Sequence, residues 1–280
     1  MKAKIFPAAL LSVLLAPLAS ATLTIQESFS YTAGQNLGGQ NGGTGFNAAW
    51  NAGTDHDIAA ASLSYPASSP LTASGGSVQV ASGLNNSNIS RTIHTDSRMN
   101  LATGGLQFYS SILMSIGEVG QAAAIQFTDN TNIRWAYGIT TGGNFFISVD
   151  PGATSQRTES TFTAAPGTTY LLVASLRTNT GSSGSDQVFL SVYSPDETIT
   201  VPAADTDWDI SASGGSSVTL SQIRLPVSNA PDLDPASFIR IDEFRVGTTF
   251  QDVTGVIPEP TAALLSAFAL IPLLSRRTRD

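Results

Sequence analysis

The chain has 280 residues, no cysteine and a formal net charge of −8. Without cysteine there are no disulfides, no thiolate metal sites and no cysteine catalysis. The acidic balance repels phosphate backbones and so argues against a nucleic-acid partner.

The chain opens Met1-Lys2-Ala3-Lys4, runs apolar from Ile5 to Leu18, and continues Ala19-Ser20-Ala21. A basic start, an apolar run and small residues predict a secretion-signal helix over 1–21, cleaved after Ala21, with Ala19 and Ala21 as the small cleavage-site residues. Pro7 and Pro17 interrupt the apolar run, which also falls short of the ~20 residues of a membrane-spanning helix. The domain that follows, 22–255, holds eight arginines, no lysine and nineteen carboxylates, a net charge of −11.

Glycine crowds residues 38–45, and Gly43-x-Gly45-x-x-Ala48 loosely matches a dinucleotide loop. No strand-helix unit surrounds it and no acid follows about twenty residues on, so a β-turn loop is the expectation. Beyond it, β-branched and aromatic clusters alternate with turn residues, the rhythm of short strands. The predicted strands are 23–31, 77–81, 89–94, 106–116, 122–128, 133–139, 144–149, 157–163, 169–177, 187–193, 217–225 and 238–246. Along one of them Val188, Leu190 and Val192 share a face, while Gln187, Phe189, Ser191 and Tyr193 share the other. Phe189 and Tyr193 make that second face apolar too, as in a strand inside a sheet that is packed on one side and covered or grooved on the other. About twelve strands without crossover helices predict an all-β fold, a two-sheet antiparallel β-sandwich of jelly-roll type.

Three stretches carry a resemblance. Glu27-Ser28-Phe29-Ser30-Tyr31 with Gly34 and residues 37–50 resembles the opening of secreted concanavalin-A-like, laminin-G-related bacterial domains. Residues 170–174 with 186–195 are similar to their central strand pair, and residues 241–249 to their closing strand. The resemblance implies the fold across residues 26–252; it implies no single ligand.

Catalytic signals are sparse. The two histidines are His56 and His94, and no serine sits in a Gly-x-Ser-x-Gly elbow. His94 with Asp96 reads as a polar pair at a strand end. Glycoside hydrolysis needs two carboxylates on one face, and no Glu-x-Asp-x-(x)-Glu series is present; the adjacent Asp242 and Glu243 point to opposite faces unless a bulge intervenes. Asp205, Asp207 and Asp209 stand at alternate positions, a spacing that suits Ca²⁺ with its six to eight oxygen ligands. Ile210 and Ser216 occupy the positions where an EF-hand needs glycine and glutamate. Asp55 with Asp57, and Asp232 with Asp234, offer smaller sites, and solvated acidic loops are the alternative for all of them. No other cofactor is implied.

The end reads Val256-Ile257-Pro258-Glu259-Pro260-Thr261, an uncharged stretch from Ala262 to Ser275, then Arg276-Arg277-Thr278-Arg279-Asp280. The uncharged stretch is a short transmembrane helix, thin against a ~30 Å hydrocarbon core. The arginines would keep its end in the cytoplasm and the domain outside. This succession over 256–280 resembles the PEP-CTERM sorting tag of Gram-negative bacteria. The resemblance implies Pro258, Glu259 and Pro260 as the motif read by an exosortase, a membrane protease-transpeptidase, and Arg276, Arg277 and Arg279 as the cytoplasmic stop. The expectation is a non-enzymatic exported protein, held transiently in the inner membrane and then delivered to the cell surface or extracellular matrix, with polysaccharide as its candidate ligand. A secreted polysaccharide hydrolase and a purely structural matrix component are the alternatives.

Overall fold

The computed structural model describes residues 23–53, 55–66, 71, 73–81, 87–150, 156–179, 185–215, 217–229 and 237–256. The predicted signal helix with Ala19 and Ala21, Asp232 and Asp234, the Pro258-Glu259-Pro260 motif, the C-terminal helix and Arg276, Arg277 and Arg279 lie outside the described residues. Among the described residues no helix is long and apolar enough to cross a membrane.

The strands are, in order, β1 Leu23–Glu27, β2 Asp57–Ala59, β3 Ser77–Ala81, β4 Ser87–Thr92, β5 Met99–Asn100, β6 Gln107–Ser115, β7 Gln121–Thr128 and β8 Ile133–Ile139. They continue as β9 Asn144–Val149, β10 Gln156–Thr163, β11 Tyr170–Arg177, β12 Asp186–Tyr193, β13 Ile210–Gly214, β14 Thr219–Leu220, β15 Gln222–Asn229 and β16 Phe238–Gly247. One short helix, α1 Phe250–Thr254, follows; Thr249 caps its N-terminus and Gly255, left-handed at φ 74°, ends it.

Two antiparallel sheets face each other. One is ordered β13-β12-β11-β6-β16-β3-β2, with β1 also on β16; the other is β10-β9-β8-β7-β15-β4. The all-β sandwich expected from the alternation is therefore present. Its core takes the inward residue of each pair: Val188, Leu190 and Val192 from β12, Ile112 and Met114 from β6, against Ile125 and Phe127 from β7, Trp135 and Tyr137 from β8, and Phe145 and Ile147 from β9. Phe127 and Trp135 stack at 4.5 Å.

The strand boundaries shift where tertiary pairing decides them. The strand expected over 23–31 stops at Glu27, because Phe29 has φ 50° and the Tyr31 N–H turns back to donate to the Phe29 carbonyl at 2.7 Å. The strand expected over 217–225 is two, β14 and β15, split at Ser221, where the chain leaves β5 and joins β4 and β7. β2, β5 and β13 were not predicted; each is short and is a strand only through its partner.

The second apolar face of β12 is covered. Leu113, Leu171, Val173, Phe189 and Tyr193 form a separate cluster on the outer side of the larger sheet, roofed by Leu63 and Leu71, by Ile199 and Trp208, and by Phe250 and Val253 of α1. The outer side of the six-stranded sheet carries no comparable apolar roof among the described residues.

Candidate functional site

The open sheet face is built by register. Asn88 on β4 pairs with Pro226 on β15, and the β15–β7 register sets Pro226 beside Ala124. Ala124 pairs with Gly138 on β8, Gly138 with Phe146 on β9, and Phe146 with Glu159 on β10. Directly paired residues point to the same side, so Asn88, Pro226, Ala124, Gly138, Phe146 and Glu159 make one outward rung across all six strands. At its centre the side chains are small. Ala124 is 6% exposed and Ala136, one row on, 3%, although both point away from the core. Over Ala124 and its neighbour Ala122 lies a trough of about 470 Å³.

Gly138 is required there. A Cβ would meet the Ala123 carbonyl oxygen at 2.1 Å and the Ala124 Cα at 2.7 Å, so the two backbones approach too closely for any side chain. Pro226, which has no N–H to give the ladder, offers an apolar ring to the wall. At the β10 end the Arg157 guanidinium lies over the Phe146 ring at 4.5 Å and bonds Glu159 Oε1 at 2.7 Å. Asn144 Nδ2 donates to the other Glu159 oxygen at 3.0 Å. Ser87, Asn88 and Ser228 line the opposite end, with Thr140 and Thr141 between. The surface thus combines a shallow apolar floor with neutral donors and acceptors along its rims.

The three aspartates at 205, 207 and 209 each hold a separate partner in the structure. Asp205 pairs with Arg177, Asp207 accepts from the Ala203 and Ala204 N–H groups at 3.1 and 2.8 Å, and Asp209 accepts from the Val192 N–H at 2.8 Å. Burial raises the Asp209 carboxyl above its ordinary value, and the Glu197 charge adds to this. Alternate spacing on a single strand would align the three; here a 3₁₀ turn over Asp205–Asp207 rotates them apart. No group of three His, Asp or Glu able to hold a metal exists among the described residues.

Other singled-out residues are structural. His56 is fully buried; its Nε2 lies 3.0 Å from the Leu225 carbonyl, so that nitrogen carries the proton and donates. Burial lowers its pKa. His94 accepts from the Asp96 N–H at 3.3 Å just beyond β4, as the strand-end pair expected. The glycine stretch lies along β1, where Thr44 exchanges backbone bonds with Gln26 and a Cβ on Gly45 would strike the Thr24 carbonyl oxygen at 2.2 Å.

Two buried acidic arrangements emerge that the sequence did not assemble. A bulge between Asp242 and Arg245 does intervene, with Glu243 at φ 48°. It sits where β16 changes edge partner from β3 to β1. Both carboxylates then reach the 61–76 segment: Asp242 Oδ2 accepts from the Leu63 N–H at 2.9 Å, Glu243 Oε1 from the Ser74 N–H at 2.9 Å. Burial pushes Asp242 up to about 8, with the Glu243 charge contributing. Farther along the sandwich Glu27 Oε2 accepts from Arg91 at 2.6 Å, from the Tyr31 hydroxyl at 2.7 Å and from the Trp50 indole at 3.2 Å. Arg91 also donates to the Ala48 carbonyl and to Asn41, and lies over Phe46 at 4.1 Å. These groups join β1, the 28–51 segment and β4.

No family model and no curated protein sequence matches the chain. Among solved structures it is similar in shape to an endo-β-1,4-glucuronan lyase from the fungus Trichoderma reesei, at 12% identity over 79% of this chain and 98% of that one, TM-score 0.46. It is similar to the binding domain of botulinum neurotoxin serotype G at 14% identity, TM-score 0.47, covering 90% of this chain and about half, 51%, of that one. It is also similar to a marine PL-14 alginate lyase from Aplysia kurodai at 6% identity, TM-score 0.45, over 69% of this chain and 87% of that one.

Proposed function

We propose that the chain is an exported surface or extracellular-matrix protein of a Gram-negative bacterium, whose β-sandwich binds polysaccharide in the trough across the six-stranded sheet and does not cleave it. The observation that carries the ligand is the rung Asn88–Pro226–Ala124–Gly138–Phe146–Glu159. Five inter-strand spacings give it a length of about 24 Å, enough for several pyranose rings. Its small apolar floor suits the C–H faces of sugars, and its amide and hydroxyl rims suit their hydroxyls. The case against turnover is that, among the described residues, the trough has no second acid and no free base: Glu159 is committed to Arg157 and Asn144, and the Asp242–Glu243 pair belongs to the other sheet, where it accepts from the Leu63 and Ser74 N–H groups.

Affinity electrophoresis of the purified protein through gels containing polysaccharide, with product analysis of the same mixtures, tests this. Retardation without new chain ends is expected, and Ala124→Trp, which fills the trough from the solvent side, should abolish it at an unchanged melting temperature. Retardation of Ala124→Trp equal to that of the wild type would move the ligand elsewhere, and new chain ends would make the protein an enzyme.

Export and sorting rest on the two ends of the sequence. An exosortase-type transpeptidase reads Pro258-Glu259-Pro260 while Arg276, Arg277 and Arg279 hold the C-terminal helix in the inner membrane. Replacing the three motif residues with alanine keeps helix and charges, so an uncut membrane-held form should accumulate in a host that has the enzyme. Intact mass and cell fractionation give the answer: equal retention of 261–280 in wild type and variant removes the sorting reading.

A further inference from the structure

We infer, on the reading that the trough binds polysaccharide, that its ligand is a neutral glycan and that the Arg157–Glu159 pair is what keeps acidic glycans out. Arg157 is the one cation among the described residues that line the trough. A uronate or sulfate ester would be gripped by a free guanidinium through paired N–H bonds. Here one face of the guanidinium is against Phe146, and an Nη2 donor is engaged at 2.7 Å by Glu159 Oε1. Glu159 is itself fixed from its other oxygen by Asn144. The pairing follows from register, since Glu159 is directly opposite Phe146 on β9 and Arg157 is two residues along the same face of β10.

An anionic sugar entering this end would meet a guanidinium whose charge Glu159 already offsets, and would sit beside that carboxylate, two like charges on one surface. A neutral sugar meets a planar stack with hydrogen-bonding edges and no net charge. The next outward row contains Arg224, and its donors run away from the trough, Nε to Gln222 Oε1 at 3.2 Å and Nη2 to the Asn130 carbonyl at 3.4 Å. Arg134, on the same face, is closed off by Asp129 and Asp150 at 2.8 and 2.5 Å. The surrounding field has the same sign as a polyanion, with a chain net charge of −8.

The test is a binding series with two neutral probes, mixed-linkage β-glucan and galactomannan, and two acidic ones, alginate and polygalacturonate, each at about 20 mM and about 200 mM salt, where charge-driven binding weakens. Retention of a neutral probe that does not change with salt, and none of either acidic probe, supports the inference. Glu159→Gln frees Arg157 at an exposed edge position and should raise affinity for polygalacturonate at least tenfold at low salt, with the gain lost at high salt. Wild-type binding to an acidic probe in preference to both neutral ones overturns the inference and leaves the polysaccharide reading standing. So does a Glu159→Gln variant that melts like the wild type and gains nothing for either acidic probe. Failure of all four probes to bind overturns both.

Discussion

Removing Arg91 should be among the most damaging single changes outside the apolar core. Its guanidinium and the Glu27 carboxylate are 2% and 1% exposed and 2.6 Å apart. Arg91→Met leaves Glu27 charged at 1% exposure with the Phe29 N–H, the Tyr31 hydroxyl and the Trp50 indole as its remaining donors. It also strips the Ala48 carbonyl and Asn41 Oδ1 of their partner. Orphaning one half of a buried pair costs about 3–5 kcal/mol; in a domain of this size each kcal/mol is worth about 2–4 °C, so the melting temperature should fall by roughly 10 °C. Adding Glu27→Gln removes the stranded charge and keeps one acceptor oxygen for the Tyr31 hydroxyl and the Trp50 indole, so the double variant should be more stable than the sum of the two single losses predicts, by about 2 kcal/mol. Urea denaturation of wild type, both single variants and the double, followed by tryptophan fluorescence and circular dichroism, closes the cycle. A loss under about 1 kcal/mol for Arg91→Met, or strictly additive single losses, would refute the view that this pair ties β1 and the 28–51 segment to β4.

Asp242 gives a pH prediction. Its folded value, about 8, lies above the ordinary 3.8, so the folded state holds this proton more tightly than the unfolded chain, and its contribution is fully present below about pH 4 and lost as pH rises through 8. The interval amounts to on the order of 5 kcal/mol; Asp242→Asn should flatten the fall in stability between about pH 5 and 9, and parallel curves would contradict it. Gly138→Ala forces a Cβ to 2.1 Å from the Ala123 oxygen and should lower the urea midpoint by about 1–3 kcal/mol of stability at unchanged slope; an unchanged midpoint would mean β7 and β8 part freely there. Millimolar calcium and chelator should give the same melting curve, since Asp205, Asp207 and Asp209 are each committed to a separate partner; a calcium-dependent rise would show that they regroup around the ion.

The sequence by itself determined the local elements. Clusters of β-branched and aromatic residues between turns placed β9 at Asn144–Val149 without error, and two-residue alternation split β12 into the faces that became the inter-sheet core and the roofed outer cluster. Alternation is a property of neighbouring residues, and burial on one side of a sheet enforces it. The absence of cysteine likewise dictates that no disulfide braces the fold. What remained beyond reach was everything that depends on which strand lies beside which. Glu27 and Arg91 are 64 positions apart, and nothing local to either marks them as a pair. Asp242 and Glu243 share a destination only because a bulge falls where β16 changes partners. The trough shows the difference most clearly: Ala122, Ala124, Ala136 and Gly138 are legible as small residues within two neighbouring strands, but a rung running from Asn88 to Glu159 through Pro226 is fixed by five separate registers. Register is chosen by the sum of contacts across both faces of the sheet, a quantity that exists only once the sandwich has closed.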